Sequence, residues 1–198
     1  MPDNYVSNKV FYWSFKRIFD LIFSIAVIFF LSPVLLLVCL FIKLTSKGPV
    51  FFKQMRIGKN GSRFNIYKFR TMVKNADKIG PVLTEKNDSR ITPIGKILRR
   101  TSLDEIPNLI NVLKGEMSII GPRPDVIEIV SGYDKWQKLV LSVNPGITGF
   151  SQVLGRQDLE LETKLRYDRF YVKNEGLCID LWIMLKTFKV VLTGYGAR

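Results

Sequence analysis

The sequence contains no histidine. That absence excludes a histidine general base, a serine–histidine triad and any metal site built on imidazole ligands. Cysteine is nearly as scarce: Cys39 lies inside an apolar run and Cys178 near the C-terminus. Two such residues suggest neither a disulfide framework nor a zinc site, and they fit a reducing cytosolic face. A nucleophile, if the chain uses one, is then a carboxylate or a hydroxyl. Acids are missing from one region in particular. Residues 43–100 hold fifteen Lys and Arg against Asp77, Glu85 and Asp88, whereas residues 101–198 hold twelve of each sign.

The 198 residues suit one domain, or one domain with an appendage, and carry a net charge of +13. The basic excess follows directly on the apolar stretch Leu21–Ile42. A basic block in that place suits an anionic lipid surface, a phosphate-bearing substrate, or both, with nucleic acid as the competing partner.

That stretch, LIFSIAVIFFLSPVLLLVCLFI, is twenty-two residues without a charge. A spanning helix needs roughly 20. It is too long for a cleavable signal, and no small-residue cleavage site follows. Two features argue against a plain span. Ser32-Pro33 lies at its middle, where proline removes a backbone donor. Both flanks are basic, with Lys9, Lys16 and Arg17 before and Lys43, Lys47, Lys53, Arg56 and Lys59 after. Basic flanks stay on the cytoplasmic side, which one span cannot satisfy at both ends. A helix–break–helix that enters and leaves by the same leaflet satisfies it, with Ser32 available for the carbonyl that proline frees. A proline-kinked single span is the alternative.

Beyond it, residues 50–72 predict two strands around Gly58-Lys59-Asn60-Gly61, an Asn-Gly hairpin signal. Residues 74–92 are polar and predict a loop. Residues 93–102 predict a short helix bearing Lys96, Arg99 and Arg100, and Leu103–Leu113 a second one ended by Lys114-Gly115. GYDKWQKLVLSV and GLCIDLWIMLKTFKVVL are amphipathic and suit either a core face or a membrane interface.

The stretch TSLDEIPNLINVLKGEMSIIGPRPD (101–125) carries the chemistry or merely shapes a turn. Ser102 and Glu105 fit a capping box, and acids in a first turn complement the helix dipole. The same acids also lie among Arg99, Arg100 and Arg123, and prolines 122 and 124 hold Arg123 with little freedom to lose. Carboxylates among arginines point to phosphoryl transfer: one acid attacks phosphorus, the other holds Mg²⁺. From residues alone this is a membrane-bound phosphoryl transferase.

KRIFDLIFS…LSPV, YKFRTM, TSLDEIPNLINVLKGEMSIIGPRP and NPGITGFSQVLGR occur in this order. Together they resemble the bacterial sugar transferase family, the monotopic phosphoglycosyl transferases, from about Lys16 to the C-terminus. The chain resembles the minimal catalytic form. The resemblance implies an α+β, mainly helical fold. Residues 1–46 would form a re-entrant membrane hairpin broken at Ser32-Pro33. Residues 47–198 would form a cytosolic catalytic domain with a small β-hairpin and interfacial amphipathic helices, on the inner membrane of a bacterium.

It also implies an activity. Asp104 would attack the β-phosphorus of a UDP-sugar, UMP would leave, and undecaprenyl phosphate would take the sugar phosphate from aspartate. Glu105 would hold Mg²⁺ and Arg123 a phosphate. Arg99 stands where the family has an arginine ahead of the acidic pair, and Lys68 and Arg156 match basic residues assigned to the nucleotide or its phosphates. Phe150-Ser151 stands where Trp-Ala is common, and Leu154 where Asn is common. Two rivals are a basic membrane-anchored nucleic-acid binder, with Phe64, Tyr67 and Phe69 as stacking residues, and a non-catalytic scaffold. The first gives no reason for Asp104-Glu105 amid the basic residues or for Ser32-Pro33, and the second predicts that Asp104→Asn changes nothing in cells. The shared motifs leave the sugar open between UDP-N-acetylated deoxysugars and UDP-galactose.

Overall fold

A computed structural model describes residues 3–76, 79–80, 88–155 and 159–193. Arg156 and much of the expected loop at 74–92 lie outside the described residues.

The chain opens with one long helix, α1 (Asp3–Thr45), which carries Pro33 in its interior. The expected separation into two helices at Ser32-Pro33 is not seen as a gap in α1. The local bonding gives the reason. Proline at 33 cannot donate to the carbonyl of Phe29, and the Ser32 hydroxyl donates to that oxygen instead, at 2.7 Å. The freed acceptor is satisfied without unwinding the helix.

Tyr12, Asp20, Ser24, Val38 and Ile42 are buried, and their spacing puts them on one side of α1. Much of the remaining surface is apolar and exposed, notably at Ile22, Phe29, Phe30, Leu36 and Phe41. Polar contacts fix the buried side at both ends. Arg17 donates to the carbonyls of Val112 and Leu113 at 2.6 and 3.0 Å, and Asp20 accepts the amide of Ile119 at 3.0 Å. Tyr12 and Lys16 both reach Asp180, which also takes the Tyr171 hydroxyl. At the other end, Arg70 donates to Ser46 and to the carbonyl of Lys47, covering acceptors beyond the last turn.

Strands β1 (Phe51–Ile57) and β2 (Arg63–Phe69) form the expected antiparallel hairpin. Its turn has Asn60 and Gly61 at φ 55° and 78°, the left-handed region that Asn and Gly tolerate best. Direct pairing of Phe52 with Lys68, Gln54 with Ile66 and Arg56 with Phe64 places these six side chains on one face. Helix α2 (Pro93–Thr101) follows, capped by Thr92, whose hydroxyl accepts the Gly95 amide at 3.0 Å. Gly95 is required by close approach: a Cβ there would stand 2.0 Å from the carbonyl oxygen of Thr71.

The second helix expected at 103–113 is two elements. Leu103–Asn108 is a 3-10 segment containing Pro107, and α3 runs Leu109–Lys114, closed by Gly115 at φ 82°. Then come β3 (Ser118–Ile120), α4 (Ile127–Val130), a 3-10 segment Gln137–Ser142, and β4 (Gly146–Thr148), which pairs parallel to β3. Helices α5 (Phe150–Leu154), α6 (Leu161–Asn174) and α7 (Leu177–Thr193) complete the chain. The fold is mainly helical α+β with a small hairpin, as expected.

The main core gathers Phe64, Ile66, Val112, Met117, Ile120, Tyr171 and Ile183, with Phe19 and Phe23 of α1 packed against it. A second cluster joins Val38 and Ile42 of α1 to Phe69 and Leu98. Leu177, Leu181, Leu185, Phe188 and Leu192 form an exposed apolar stripe along α7. Their spacing of three and four residues keeps them on one helix face.

Candidate active site

The site lies between the hairpin face, the 3-10 segment and the turn after β3. Asparagines seat the hairpin on the helical layer. Asn108 and Asn111 both accept the Tyr67 amide, at 3.2 and 3.3 Å, while Asn111 donates to the Asn65 carbonyl and to Glu116 at 2.7 Å. Lys68, on the inward face of β2, is thereby held against the 3-10 segment that carries Asp104 and Glu105.

The turn after β3 is held with equal economy. Gly146 donates to the Pro122 carbonyl at 2.9 Å, Ile57 donates to the Asp125 carbonyl at 3.0 Å, and Arg56 donates to the Pro124 carbonyl at 3.3 Å. A Cβ at Gly146 would stand 2.1 Å from the Gly121 amide nitrogen, so only glycine lets these strands approach. Lys164 pairs with Asp125 and donates to the Arg123 carbonyl. Proline on either side of Arg123 completes a rigid mount for its guanidinium.

Glu105 is clamped. Its Oε1 takes Lys68 Nζ at 2.7 Å and Arg123 Nη2 at 2.8 Å, and its Oε2 takes Arg123 Nη1 at 3.3 Å. Burial alone would raise the Glu105 carboxyl, but Arg123 and Lys68 hold it well below the usual carboxylate range. Glu105 in turn raises Arg123, while burial pulls Lys68 below its ordinary value against the same carboxylate.

The expected capping box does not form. Ser102 ends α2 in the left-handed region, at φ 57°, and its side chain makes no capping bond to the 3-10 segment. The bonds to the two cations, one from Lys68 and two from Arg123, outweigh the single backbone N–H bond that a capping glutamate would accept.

Asp104 differs in every respect. It is 8% exposed, and among the described residues it takes no ion pair. Burial and the adjacent Glu105 push its carboxyl up, to about 6, against the attraction of Lys68, Arg99 and Arg123. Arg99 is placed by the close packing of α2 on Thr71, whose Oγ1 accepts from Nε at 2.9 Å. Burial lowers Arg99, partly offset by the field of Asp104.

The structure thus brings together Asp104, Glu105, Arg123, Arg99 and Lys68. It leaves Ser32 and Pro33 in α1. Two contributors escape a linear reading: the Asn108/Asn111 brace and Arg56. The signal for Arg56 was strand alternation, since a turn at 58–61 puts residue 56 on the face of residue 68.

A family model of bacterial sugar transferases matches residues 11–194. The chain belongs to the bacterial sugar transferase family. Three relatives place it more closely. It is 41% identical, over 92% of its own length, to the undecaprenyl-phosphate galactose phosphotransferase of Salmonella typhimurium, of which it spans 41%. It is 39% identical, again over 92%, to the UDP-N-acetylgalactosamine-undecaprenyl-phosphate N-acetylgalactosaminephosphotransferase of Aeromonas hydrophila, of which it spans 45%. The exopolysaccharide production protein ExoY of Sinorhizobium fredii is 39% identical over 92% of the chain, and there the match spans 87% of the relative. The chain therefore covers less than half of two of these relatives and most of the third.

Proposed function

We propose that this sugar transferase moves a sugar 1-phosphate from a UDP-sugar to undecaprenyl phosphate, releasing UMP, through a sugar-phosphoryl group on Asp104. The observation that carries this reading is the division between the two acids. Glu105 is neutralised by Lys68 and Arg123, whereas Asp104 takes no ion pair among the described residues, lies amid cations and has a carboxyl near 6. At neutral pH that carboxylate is ionised and basic enough to attack, and Arg123, Lys68 and Arg99 attract the phosphate it must meet. A neutral leaving group or an acid-catalysed step would not need this surplus of positive charge.

Among the described residues no three acids gather into a metal cluster. One or two carboxylates plus substrate phosphate oxygens are the usual share in a Mg²⁺ site. Glu105 is the carboxylate proposed for that share, and Mg²⁺ would have to displace part of its bonding to Lys68 and Arg123. Bound Mg²⁺ would neutralise charge on the diphosphate.

The membrane arrangement follows from α1. Its apolar section, Lys9–Thr45, is about 55 Å long if straight, against a hydrocarbon core of about 30 Å. Both ends are bonded to the same polar body, through Arg17 and Asp20 at one end and Ser46 at the other. A helix crossing the bilayer would carry one end out of that body's reach. These contacts support re-entry through a single leaflet, to which we add a bend at Ser32-Pro33, entry from the cytoplasmic side and the exposed α7 stripe lying in the interface. Residues 47–198 then work at the cytoplasmic face of a bacterial inner membrane.

The test is UMP release from a panel of UDP-sugars with Mg²⁺ and undecaprenyl phosphate, comparing wild type with Asp104→Asn. Release with at least one sugar, abolished in the variant, is expected. Release that survives Asp104→Asn would sink the covalent route.

A further inference from the structure

We propose that Arg56 is a further substrate-binding residue, holding the second phosphate of the diphosphate in both half-reactions: that of departing UMP first, then that of the attacking lipid. This rests on the transferase reading above.

Arg56 faces the same cleft as Lys68, Glu105 and Arg123. Its Nη2 donates to Gln54 Oε1 at 2.7 Å and its Nη1 to the Pro124 carbonyl, while its buried Nε has no hydrogen-bond partner. No carboxylate pairs with it among the described residues. A half-buried guanidinium with neutral hydrogen-bond partners and a buried, orphaned N–H is costly unless an anion completes it. Burial first, and then the charge of Arg123, pull it down to about 10 against the attraction of Asp125, Glu105 and Glu128, none of which bonds to it.

Its position along the site gives the anion a role. Asp104 is influenced by Lys68, Glu105, Arg99 and Arg123, whereas Arg56 is influenced by Arg123, Asp125, Glu105 and Glu128. Arg123 and Glu105 act on both groups, and both line the cleft that Arg56 and Lys68 share. A phosphorus attacked by Asp104 lies beside Arg123 and Lys68, and a diphosphate extends one bridging oxygen further, toward Arg56.

The bond changes then explain why one cation serves twice. In the first step an Asp104 oxygen bonds to the β-phosphorus, and the bridging P–O bond breaks with its electron pair leaving on UMP. In the second a lipid phosphate oxygen bonds to the same phosphorus, and the P–O bond to Asp104 breaks, returning its electron pair to the carboxylate. In-line displacement requires the incoming oxygen to lie opposite Asp104. That is where UMP departed, so both second phosphates meet the same guanidinium.

The experiment uses the full chain in detergent micelles with Arg56→Gln and Arg56→Lys. UMP and uridine affinities are measured by calorimetry and competition, and KM for undecaprenyl phosphate by turnover. In Arg56→Gln, UMP affinity falls and lipid KM rises, each at least tenfold, while uridine affinity stays within twofold. Arg56→Lys recovers part of both losses. A shift in UMP alone, or in the lipid alone, overturns the shared position. Unchanged values for both, with slower turnover, make Arg56 a strut for Pro124. Failure of the wild type to release UMP from any sugar while binding UMP normally would count against the transferase reading instead.

Discussion

Asp104→Asn is expected to destroy turnover and make the protein more stable, and the size of the gain follows from the structure. The carboxyl stands at about 6 in the folded protein against 3.8 for the free group, mainly because it is buried. Two pH units at 1.36 kcal/mol each give a folding penalty of about 3 kcal/mol. The sign follows from linkage. The folded state binds this proton more tightly than the unfolded chain, so the penalty is absent below 3.8, grows as pH rises from 3.8 to 6, and is complete above 6. Asparagine keeps the shape and removes the charge. At pH 7.5 it should raise the melting temperature by roughly 6–12 °C, at about 2–4 °C per kcal/mol for a chain of this size. At pH 4.5 most of that difference should vanish, and this internal comparison cancels effects of asparagine unrelated to ionisation. Differential scanning fluorimetry at the two pH values is the assay. Equal melting temperatures for variant and wild type at pH 7.5 would refute the claim that Asp104 is a buried carboxylate without an ion pair among the described residues.

Three further outcomes are expected. The rate of UMP release at low substrate should fall tenfold per pH unit below about 6, where Asp104 takes up its proton; a limb near 4 would point to an unperturbed carboxylate. Arg123→Lys keeps the charge but loses the fork on both Glu105 oxygens, so turnover should drop by about 10–100-fold, the worth of one charge-assisted bond. Near-normal kinetics would make the fork incidental. Cysteines introduced at positions 9 and 47, in a background lacking Cys39 and Cys178, should both label from the cytoplasmic side, and Pro33→Ala should push position 9 toward the opposite face and lower activity. Opposite labelling in the unmodified helix would overturn re-entry.

Much of the candidate site was legible because its residues are local in sequence. Asp104, Glu105 and Arg123 lie within twenty residues, and prolines announce the mount of Arg123. The hairpin was equally plain, since Asn60-Gly61 sets both turn and register. What the sequence hid depends on distant partners. The capping box was a sound local inference for Ser102 and Glu105, but Lys68, thirty-seven residues upstream, and Arg123 draw the carboxylate away. Pro107 reads as a helix resident, yet the segment around it tightens into 3-10 geometry that buries Asp104. Arg56 became visible only through pairing register. At Ser32-Pro33 the predicted acceptor for the serine hydroxyl was found, and the same bond is why the helix shows no gap.

The expected boundary at 46/47 falls just after α1 ends, but packing ignores it. Asp20 accepts the amide of Ile119, one residue before the end of β3, and Arg123 follows three residues after that strand. Arg17 covers the last carbonyls of α3, whose first residue follows the 3-10 segment carrying Asp104 and Glu105. Lys16 and Tyr12 hold Asp180 of α7 beside Tyr171 of α6. Each residue of axial slip in α1 would displace these groups by about 1.5 Å, enough to break every one of these bonds. The depth of α1 and the position of the Arg123 turn are therefore set together. In the chemistry proposed above, on a phosphate whose lipid tail fixes its height in the membrane, that coupling would keep Asp104 and the phosphorus at the same level.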